Sequence, residues 1–161
     1  MIRFALIYLS MLFVSGCAML KPVEVKRLGD VNAYQFVFIS QTQTLNSGTG
    51  GGYIGYGTSG GFSYITSKSI NPSDVISGIL MKKGFVIVES ITNPTQTLIV
   101  KYGQGDKREV LGGLGGYTLE VSIQILKAKT QEPLFLCTAE GQGDTEADDI
   151  REAITRCLQE L

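Results

Sequence analysis

The candidate reactive side chains of this sequence are three thiols and a set of carboxylates. Its 161 residues include no histidine. The thiols belong to Cys17, Cys137 and Cys157. A nucleophilic cysteine needs a neighbouring base to form the thiolate, and histidine usually supplies it. Histidine is also the commonest general base and a common zinc ligand. We therefore expect the thiols to have structural or anchoring roles, and we expect no cofactor.

The carboxylates form one dense cluster near the C-terminus. Its members are Asp144, Glu146, Asp148, Asp149 and Glu152. The cluster has the composition of a cation site, but it lacks the spacing and the loop glycine of an EF-hand. Acidic residues in the first turn of a helix also stabilise the helix dipole. We interpret the cluster as a solvated helix start and expect no metal site.

A glycine-rich segment, residues 48–66, contains Gly55-x-Gly57-x-x-Gly60, which is formally a dinucleotide fingerprint. That motif binds a pyrophosphate only where a strand turns into a helix. The residues that follow Gly60 alternate like a strand, so we expect a flexible glycine hairpin instead. Four aromatic residues in the segment could form a flap that contacts a partner. They are Tyr53, Tyr56, Phe62 and Tyr64.

The N-terminus has the pattern of an export signal. Arg3 precedes an apolar run from Phe4 to Val14, and small residues follow. Such a run, roughly 7–15 residues long, is typical of a signal peptide and is too short for a membrane span of about 20 residues. A buried helix or a cleaved signal without lipid are the alternatives. Val14-Ser15-Gly16-Cys17 resembles the lipobox of bacterial lipoproteins, which predicts a signal peptide at residues 1–16.

The lipobox resemblance implies that Cys17 becomes the N-terminus and carries a diacylglyceryl group, with a further acyl chain such as palmitate on its amine. Two or more acyl chains give stable anchoring, because each buried methylene contributes about 0.8 kcal/mol. In lipoproteins an aspartate after the cysteine favours retention in the inner membrane. Here that residue is Ala18. We therefore expect an outer-membrane anchor facing the periplasm in a two-membrane bacterium.

Cleavage before Cys17 leaves 145 residues with 13 basic and 15 acidic side chains. This length suits one domain that buries about two thirds of its unfolded surface. The slightly negative charge argues against nucleic acid as a partner. The charged segment from Lys21 to Asp30 is interpreted as part of a tether. The resulting organisation is a lipidated N-terminus and tether at 17–32 and one domain at 33–161.

The hydrophobic pattern predicts strands that alternate with two helices. Strands are expected at 33–40, at 85–90 as a buried strand, at 97–102 antiparallel to it, and at 117–125 and 134–140 as a central hairpin. Residues 103–116 are expected to form a loop. Helices are expected at 72–83, capped by Asn71, and at 146–160, capped by Thr145. The predicted fold is α+β, with an antiparallel or mixed sheet of about five to seven strands and two helices on one face.

Cys137 and Cys157 are the thiols that remain once Cys17 is lipidated. Cys137 lies on the same strand face as Phe135 and Ala139, and Cys157 lies on the apolar stripe of the last helix. Two cysteines in an exported domain favour a disulfide. We predict that they bridge, with two separate buried thiols as the alternative.

Several short matches over residues 71–161 give a loose resemblance to uncharacterised envelope lipoproteins of the small α/β-sandwich type. They are Gly84-Phe85, Leu98-Ile99-Val100-Lys101-Tyr102, residues 119–125, Lys129-Thr130 and Ala139-Glu140-Gly141. The resemblance implies envelope localisation, and it does not imply any particular activity. We expect a non-enzymatic lipoprotein that binds envelope components or other envelope proteins, or serves as an accessory subunit, through its open sheet face or glycine loops.

Two other classes of function stay open from the sequence. A small-ligand or lipid-binding module would need an apolar cavity between the sheet and the helices. A hydrolase would need two carboxylates about 5–10 Å apart in a cleft. Its candidates are Glu89, Glu120 and Asp106, which no motif pairs.

Overall fold

A computed structural model describes residues 20–42, 44–49, 66–110 and 116–161. The described residues form eight strands and two helices. The strands are β1 (Glu24–Arg27), β2 (Phe36–Ile39), β3 (Leu45–Thr49), β4 (Thr66–Ile70), β5 (Val86–Val88), β6 (Thr97–Glu109), β7 (Tyr117–Lys127) and β8 (Pro133–Gly141). The helices are α1 (Pro72–Lys82) and α2 (Glu146–Gln159).

The main sheet has six strands in the order β1-β8-β7-β6-β2-β5. β2 runs parallel to both β5 and β6, whereas the other neighbours are antiparallel. Helix α2 packs on β7 and β8, and α1 packs on α2 and β5. The predicted α+β fold, a mixed sheet with two helices packed against it, is confirmed.

The core lies between the sheet and the helices. Strand β7 directs Leu119, Val121, Ile123 and Ile125 towards α2, and each is at most 1% exposed. Helix α2 meets them with a completely buried stripe, which consists of Ile150, Ala153, Ile154, Cys157 and Leu158. Alternation along a strand and a 3.6-residue period along a helix bring these two apolar surfaces together.

Both helices begin where the sequence predicts. The Asn71 side chain accepts a hydrogen bond from the backbone N–H of Ser73 at 3.1 Å. The Thr145 hydroxyl accepts one from the backbone N–H of Asp148 at 3.3 Å. These caps satisfy N–H groups that have no partner within the helix. Gly84 follows α1 with a φ of 94°, a left-handed conformation that glycine adopts without strain.

The prediction of a loop at residues 103–116 is wrong for the first half of that range. Strand β6 continues past Tyr102 to Glu109 and pairs with β7 as far as Tyr117. Its register with β7 shifts between Gln104 and Lys107, where one extra residue forms a β-bulge. The glycines and charges of this stretch suggested a loop, but a bulge beside an antiparallel partner accommodates both.

The antiparallel pairing expected between the strands at 85–90 and 97–102 is also wrong. β2 lies between β5 and β6 and is parallel to each. Four consecutive apolar residues in β2 supply side chains to both faces of the sheet, which suits an interior strand. β5 has only three residues and lies at the end of the sheet, with Val86 44% exposed, so it is not a buried strand.

Two further segments differ in detail from the sequence interpretation. Residues 21–30, interpreted as tether, contain β1, which pairs antiparallel with β8. Val23 and Val25 pack partly against the core, and this short alternation is the signal for the strand. β3 and β4 pair antiparallel on either side of residues 50–65, as the arms of a hairpin do.

Neither α1 nor α2 has the length and apolar character of a transmembrane span, which holds for the described ranges.

Candidate functional site

The face of the main sheet opposite the helices divides into a polar half and an apolar half. The polar half is a concavity of about 490 Å³ on β1, β8 and β7. Its lining includes Glu24, Lys26, Ser122, Gln124 and Thr138. The Ser122 and Thr138 hydroxyls lie 3.2 Å apart, directly opposite each other across β7 and β8. This half presents one acidic side chain, one basic side chain and several uncharged hydrogen-bonding side chains at an open surface.

The apolar half lies at the β2–β5 end of the same face. Phe36 is directly opposite Val86, and Phe38 is directly opposite Val88. We call these four residues the apolar patch. Phe36, Phe38 and Val88 are half-buried, and Val86 is 44% exposed. Ile99, which is buried, continues the row from Phe38 into β6, so the patch adjoins a buried apolar side chain.

A buried carboxylate, Glu140, lies near the end of β8, next to β7 in the sheet. Its side chain is only 3% exposed. The Arg108 guanidinium donates from Nε to Oε1 at 2.8 Å and from Nη2 to Oε2 at 2.6 Å. The backbone N–H of Lys21 donates to Oε2 at 2.9 Å, and the Lys21 Nζ lies 3.4 Å from Oε1. Arg108, above all, and then Lys21 lower the pKa of Glu140 to about 2 against the cost of burial.

The bulge in β6 brings Arg108 to this carboxylate. Gln104 and Lys107 both reach Glu146 on α2, so both side chains lie on the helix side of the sheet. A one-residue insertion reverses the alternation that follows it. Arg108 therefore reaches the opposite face, where it pairs with Glu140. Gly105 lies in the bulge against Glu120, whose Oε1 would be 3.1 Å from an added Cβ.

The carboxylates considered for a hydrolase are placed differently from one another. Glu120 lies directly opposite Glu140 across β7 and β8. Asp106 lies in the β6 bulge, and Glu89 follows β5 at the far end of the sheet order. A general acid needs a raised pKa, but Arg108 and Lys21 keep Glu140 ionised. The carboxylate pair that strand register creates at Glu120 and Glu140 therefore includes a member that is ionised at neutral pH.

The acidic start of α2 is occupied by local contacts. Glu146 accepts from Lys107 at 2.9 Å and from Gln104 at 3.1 Å. Glu152 accepts from the backbone N–H of Gln142 at 2.8 Å. The described residues hold no group of three or more metal-ligating side chains.

The expectation that the acidic residues at the start of this helix are solvated is wrong for Asp149. This side chain is 1% exposed and accepts a hydrogen bond from the backbone N–H of Gly143. Burial raises the pKa of Asp149 to about 6, and the Gly143 hydrogen bond opposes the shift. The residue lies on the inner side of the helix, where the strand end and α2 approach closely.

The disulfide predicted between Cys137 and Cys157 is present. The two residues lie 5.7 Å apart at Cα, 20 positions apart in sequence, and link β8 to α2. Both are at most 3% exposed. The bridge therefore lies within the core between sheet and helix.

The remaining residues singled out from the sequence lie outside the described ranges. They are Cys17 and the four aromatic residues of the expected flap, namely Tyr53, Tyr56, Phe62 and Tyr64. Sequence reasoning missed Glu140 and Arg156, which contact Lys21, and Arg108, which contacts Glu140. Their contacts join residues between 16 and 135 positions apart, so no local motif marks them.

The fold and these contacts define an α+β domain in which the described helices cover one face of the main sheet. No family model matches the sequence, and no curated protein is significantly similar to it. One similar solved structure is that of a PDZ domain protein from Parabacteroides distasonis ATCC 8503. It is 12% identical with a TM-score of 0.49, and the similarity covers 88% of this chain but only 36% of that chain.

Proposed function

We propose that the protein is a non-enzymatic lipoprotein, anchored through Cys17 to the periplasmic side of the outer membrane, that serves as an accessory subunit of an envelope assembly. Its partner is an envelope protein that contacts the open sheet face. The observation that carries the partner assignment is the apolar patch on the face that the helices leave uncovered.

The anchor is supported by the sequence and is compatible with the fold. The lipobox-like Val14-Ser15-Gly16-Cys17 ends four residues before Lys21, the residue that contacts Glu140. The lipidated residue therefore comes directly before the folded domain. Several acyl chains on one cysteine hold a domain of this size at a membrane.

The apolar patch supports a protein partner. Phe36, Phe38, Val86 and Val88 are adjacent through direct cross-strand pairing. Clusters of exposed apolar side chains on soluble domains commonly mark interaction sites. The patch includes Val86 and Val88 of β5, an end strand whose outer edge has no neighbouring strand among the described residues. A partner that covers the patch can also pair with that edge.

The titratable groups support a role without catalysis. Arg108 and Lys21 engage Glu140, and the disulfide occupies both described thiols. Burial first, and then Glu146, raises the pKa of Tyr102 to about 12, so this phenol is a poor proton donor at neutral pH.

The polar concavity supports the second candidate function, a module that binds a small ligand. Space between the sheet and α2 is occupied by core side chains such as Ile123 and Ile154, both 0% exposed. A ligand would therefore bind at the 490 Å³ concavity, in contact with Gln124 and Thr138. Because that surface is open and does not enclose a ligand, we favour the protein partner.

Site-specific photo-cross-linking in intact cells tests the partner assignment. A photoreactive residue replaces Val86 in the patch, and a matched variant carries it at Met81 on α1. Val86 is 44% and Met81 is 57% exposed, so the two sites are comparable in accessibility. The Val86 variant should yield one discrete membrane-associated adduct that the Met81 variant lacks. Identical adducts from both sites, or none from Val86, would remove the support for a partner at the patch.

A further inference from the structure

The point at which the chain enters the domain is fixed by contacts from two distant elements. The backbone N–H of Lys21 donates to Glu140 Oε2 at 2.9 Å. Its carbonyl oxygen accepts from Arg156 Nη2 on α2 at 2.9 Å. Arg156 also donates through Nη1 to the backbone carbonyl of Glu140. Both backbone polar groups of Lys21 are thus held, immediately before β1 begins.

Burial strengthens this attachment. Glu140 is 3% exposed at its side chain, and Arg108 Nη2 donates to the same oxygen, Oε2, that accepts from Lys21. A hydrogen bond to a charged group is stronger than one between neutral groups. Releasing Lys21 would also leave a buried carboxylate with fewer donors. Lys21 is therefore a fixed junction, in contrast to a residue in a flexible tether.

The fixed junction lies at a definite end of the sheet. Glu24 pairs with Thr138, so β1 begins where β8 ends. The start of β7 and the far end of β6 lie at the same end, because Tyr117 pairs with Glu109. The turn between β7 and β8, residues 128–132, lies at the opposite end. Eleven residues of β7 separate the two ends by about 36 Å at ~3.3 Å per residue.

Only a short length of chain separates this junction from the lipid. From Cys17 to Lys21 there are four residue steps, which span at most about 14 Å when fully extended. We propose that the junction at Lys21 holds the domain in one orientation on the anchoring bilayer, with the Glu109/Tyr117 end of the sheet facing the lipid headgroups. This inference depends on the anchor at Cys17 proposed above.

The orientation is set by the covalent connection. The exposed side chains at the membrane-facing end include both Lys107 and Glu109, so attraction to anionic lipid is weak. Salt screens exposed charges strongly and partly buried ion pairs, such as those of Glu140, much less. The orientation should therefore be independent of ionic strength and of the content of anionic lipid.

The orientation also places the apolar patch. Val88 aligns with Phe38 and with Ile99 of β6, ten residues before Glu109. Ile99 pairs with Leu126 and Glu109 with Tyr117, so along the strands the patch lies about 30 Å farther from the bilayer than the Glu109 end, at ~3.3 Å per residue of β7. A partner of the patch must extend that far into the periplasm.

Energy transfer to acceptor-labelled lipids in vesicles tests the orientation. The lipidated full-length protein, purified from membranes in detergent, is reconstituted with a donor at Glu109→Cys or at Lys129→Cys; both sites are exposed. Flotation of the vesicles first shows that the chain is anchored. Transfer should be stronger from position 109 than from position 129, and the ratio should not change with salt.

A matched variant carries about twelve Gly/Ser residues between Ala18 and Met19, a flexible segment of roughly 19 Å r.m.s. length. It leaves every described contact of Lys21 in place but frees the domain from the bilayer. The difference between the two positions should then be lost. Equal transfer from both positions in the floated protein without the insertion would overturn the orientation. A chain that does not float would instead overturn the anchor itself.

Discussion

Replacing Gly141 with alanine should separate helix α2 from the sheet. Gly141 ends β8 directly beneath the first turns of α2. A Cβ at this position would lie 1.9 Å from the carbonyl oxygen of Asp149 and 2.8 Å from the backbone nitrogen of Ala153. Both atoms belong to the helix backbone, so no side-chain rotation can relieve the overlap. The helix must move by about 1 Å or more before the contact becomes tolerable.

That movement disturbs the centre of the core. Ile150, Ala153 and Ile154 on the same part of α2 are each 0% exposed. Overpacking a well-packed core typically costs 1–3 kcal/mol, and the rigid backbone contact places this substitution at about 3 kcal/mol or more. For a domain of this size, about 3 kcal/mol lowers Tm by roughly 6–12 °C.

Gly78→Ala is the matched control. Gly78 lies within α1, and an added Cβ would have nothing within 4 Å. Alanine is favoured over glycine in a helix interior by about 1 kcal/mol, so this variant should be slightly more stable than the parent. Urea and thermal unfolding of the Cys17→Ser domain measure both changes. A Gly141→Ala domain within about 0.5 kcal/mol of its parent would refute the close packing of β8 on α2, because only innocuous surface changes are normally that small.

Three further predictions concern the two buried carboxylates and the disulfide. The folded-state pKa of Glu140 is lowered from 4.5 to about 2. Its contribution to the free energy of unfolding is therefore present above pH 4.5 and is lost as the pH falls towards 2. Glu140→Gln should reduce the stability at pH 7 and flatten its acid dependence, which urea titrations from pH 7 to pH 2 measure; an unchanged acid profile would contradict the ion pair. Asp149 affects the pH dependence of stability in the opposite direction. Its folded-state pKa is raised from 3.8 to about 6, so stability falls as the pH rises from 4 to 6. Asp149→Asn should remove up to about 3 kcal/mol of that fall, and calorimetry that finds the same slope in both proteins would show that Asp149 is hydrated. Reduction of the Cys137–Cys157 bridge, which closes a loop of 20 residues, should lower stability by about 3 kcal/mol; free-thiol titration confirms the reduction, and an unchanged Tm would exclude a stabilising bridge.

The elements that local chemistry specifies could be predicted from the sequence. Asn71 and Thr145 cap their helices through side-chain contacts two or three residues away, so their signals lie within a few residues. The alternation from Leu119 to Ile125 likewise marks β7, because one face of that strand is buried by a helix.

The order of the strands and the contacts of Glu140 could not be predicted in this way. β2 lies between β5 and β6, and this arrangement depends on packing among three strands and α1. Arg108 reaches Glu140 only because a bulge reverses the alternation of β6. Lys21 contacts Glu140 across 119 positions of sequence. Pairings of this kind arise from the tertiary fold and leave no periodic pattern.

Mass spectrometry of the chain extracted from membranes tests the central proposal of a lipid anchor most directly. The mature protein should lack residues 1–16, and its N-terminal peptide should carry the mass of a diacylglyceryl group on Cys17 with an acylated amine. The Cys17→Ser variant should lack the lipid and should appear in the soluble periplasmic fraction. An unmodified Cys17 in the membrane-extracted chain, or a Cys17→Ser protein that still fractionates with membranes after a high-salt wash, would contradict the anchor.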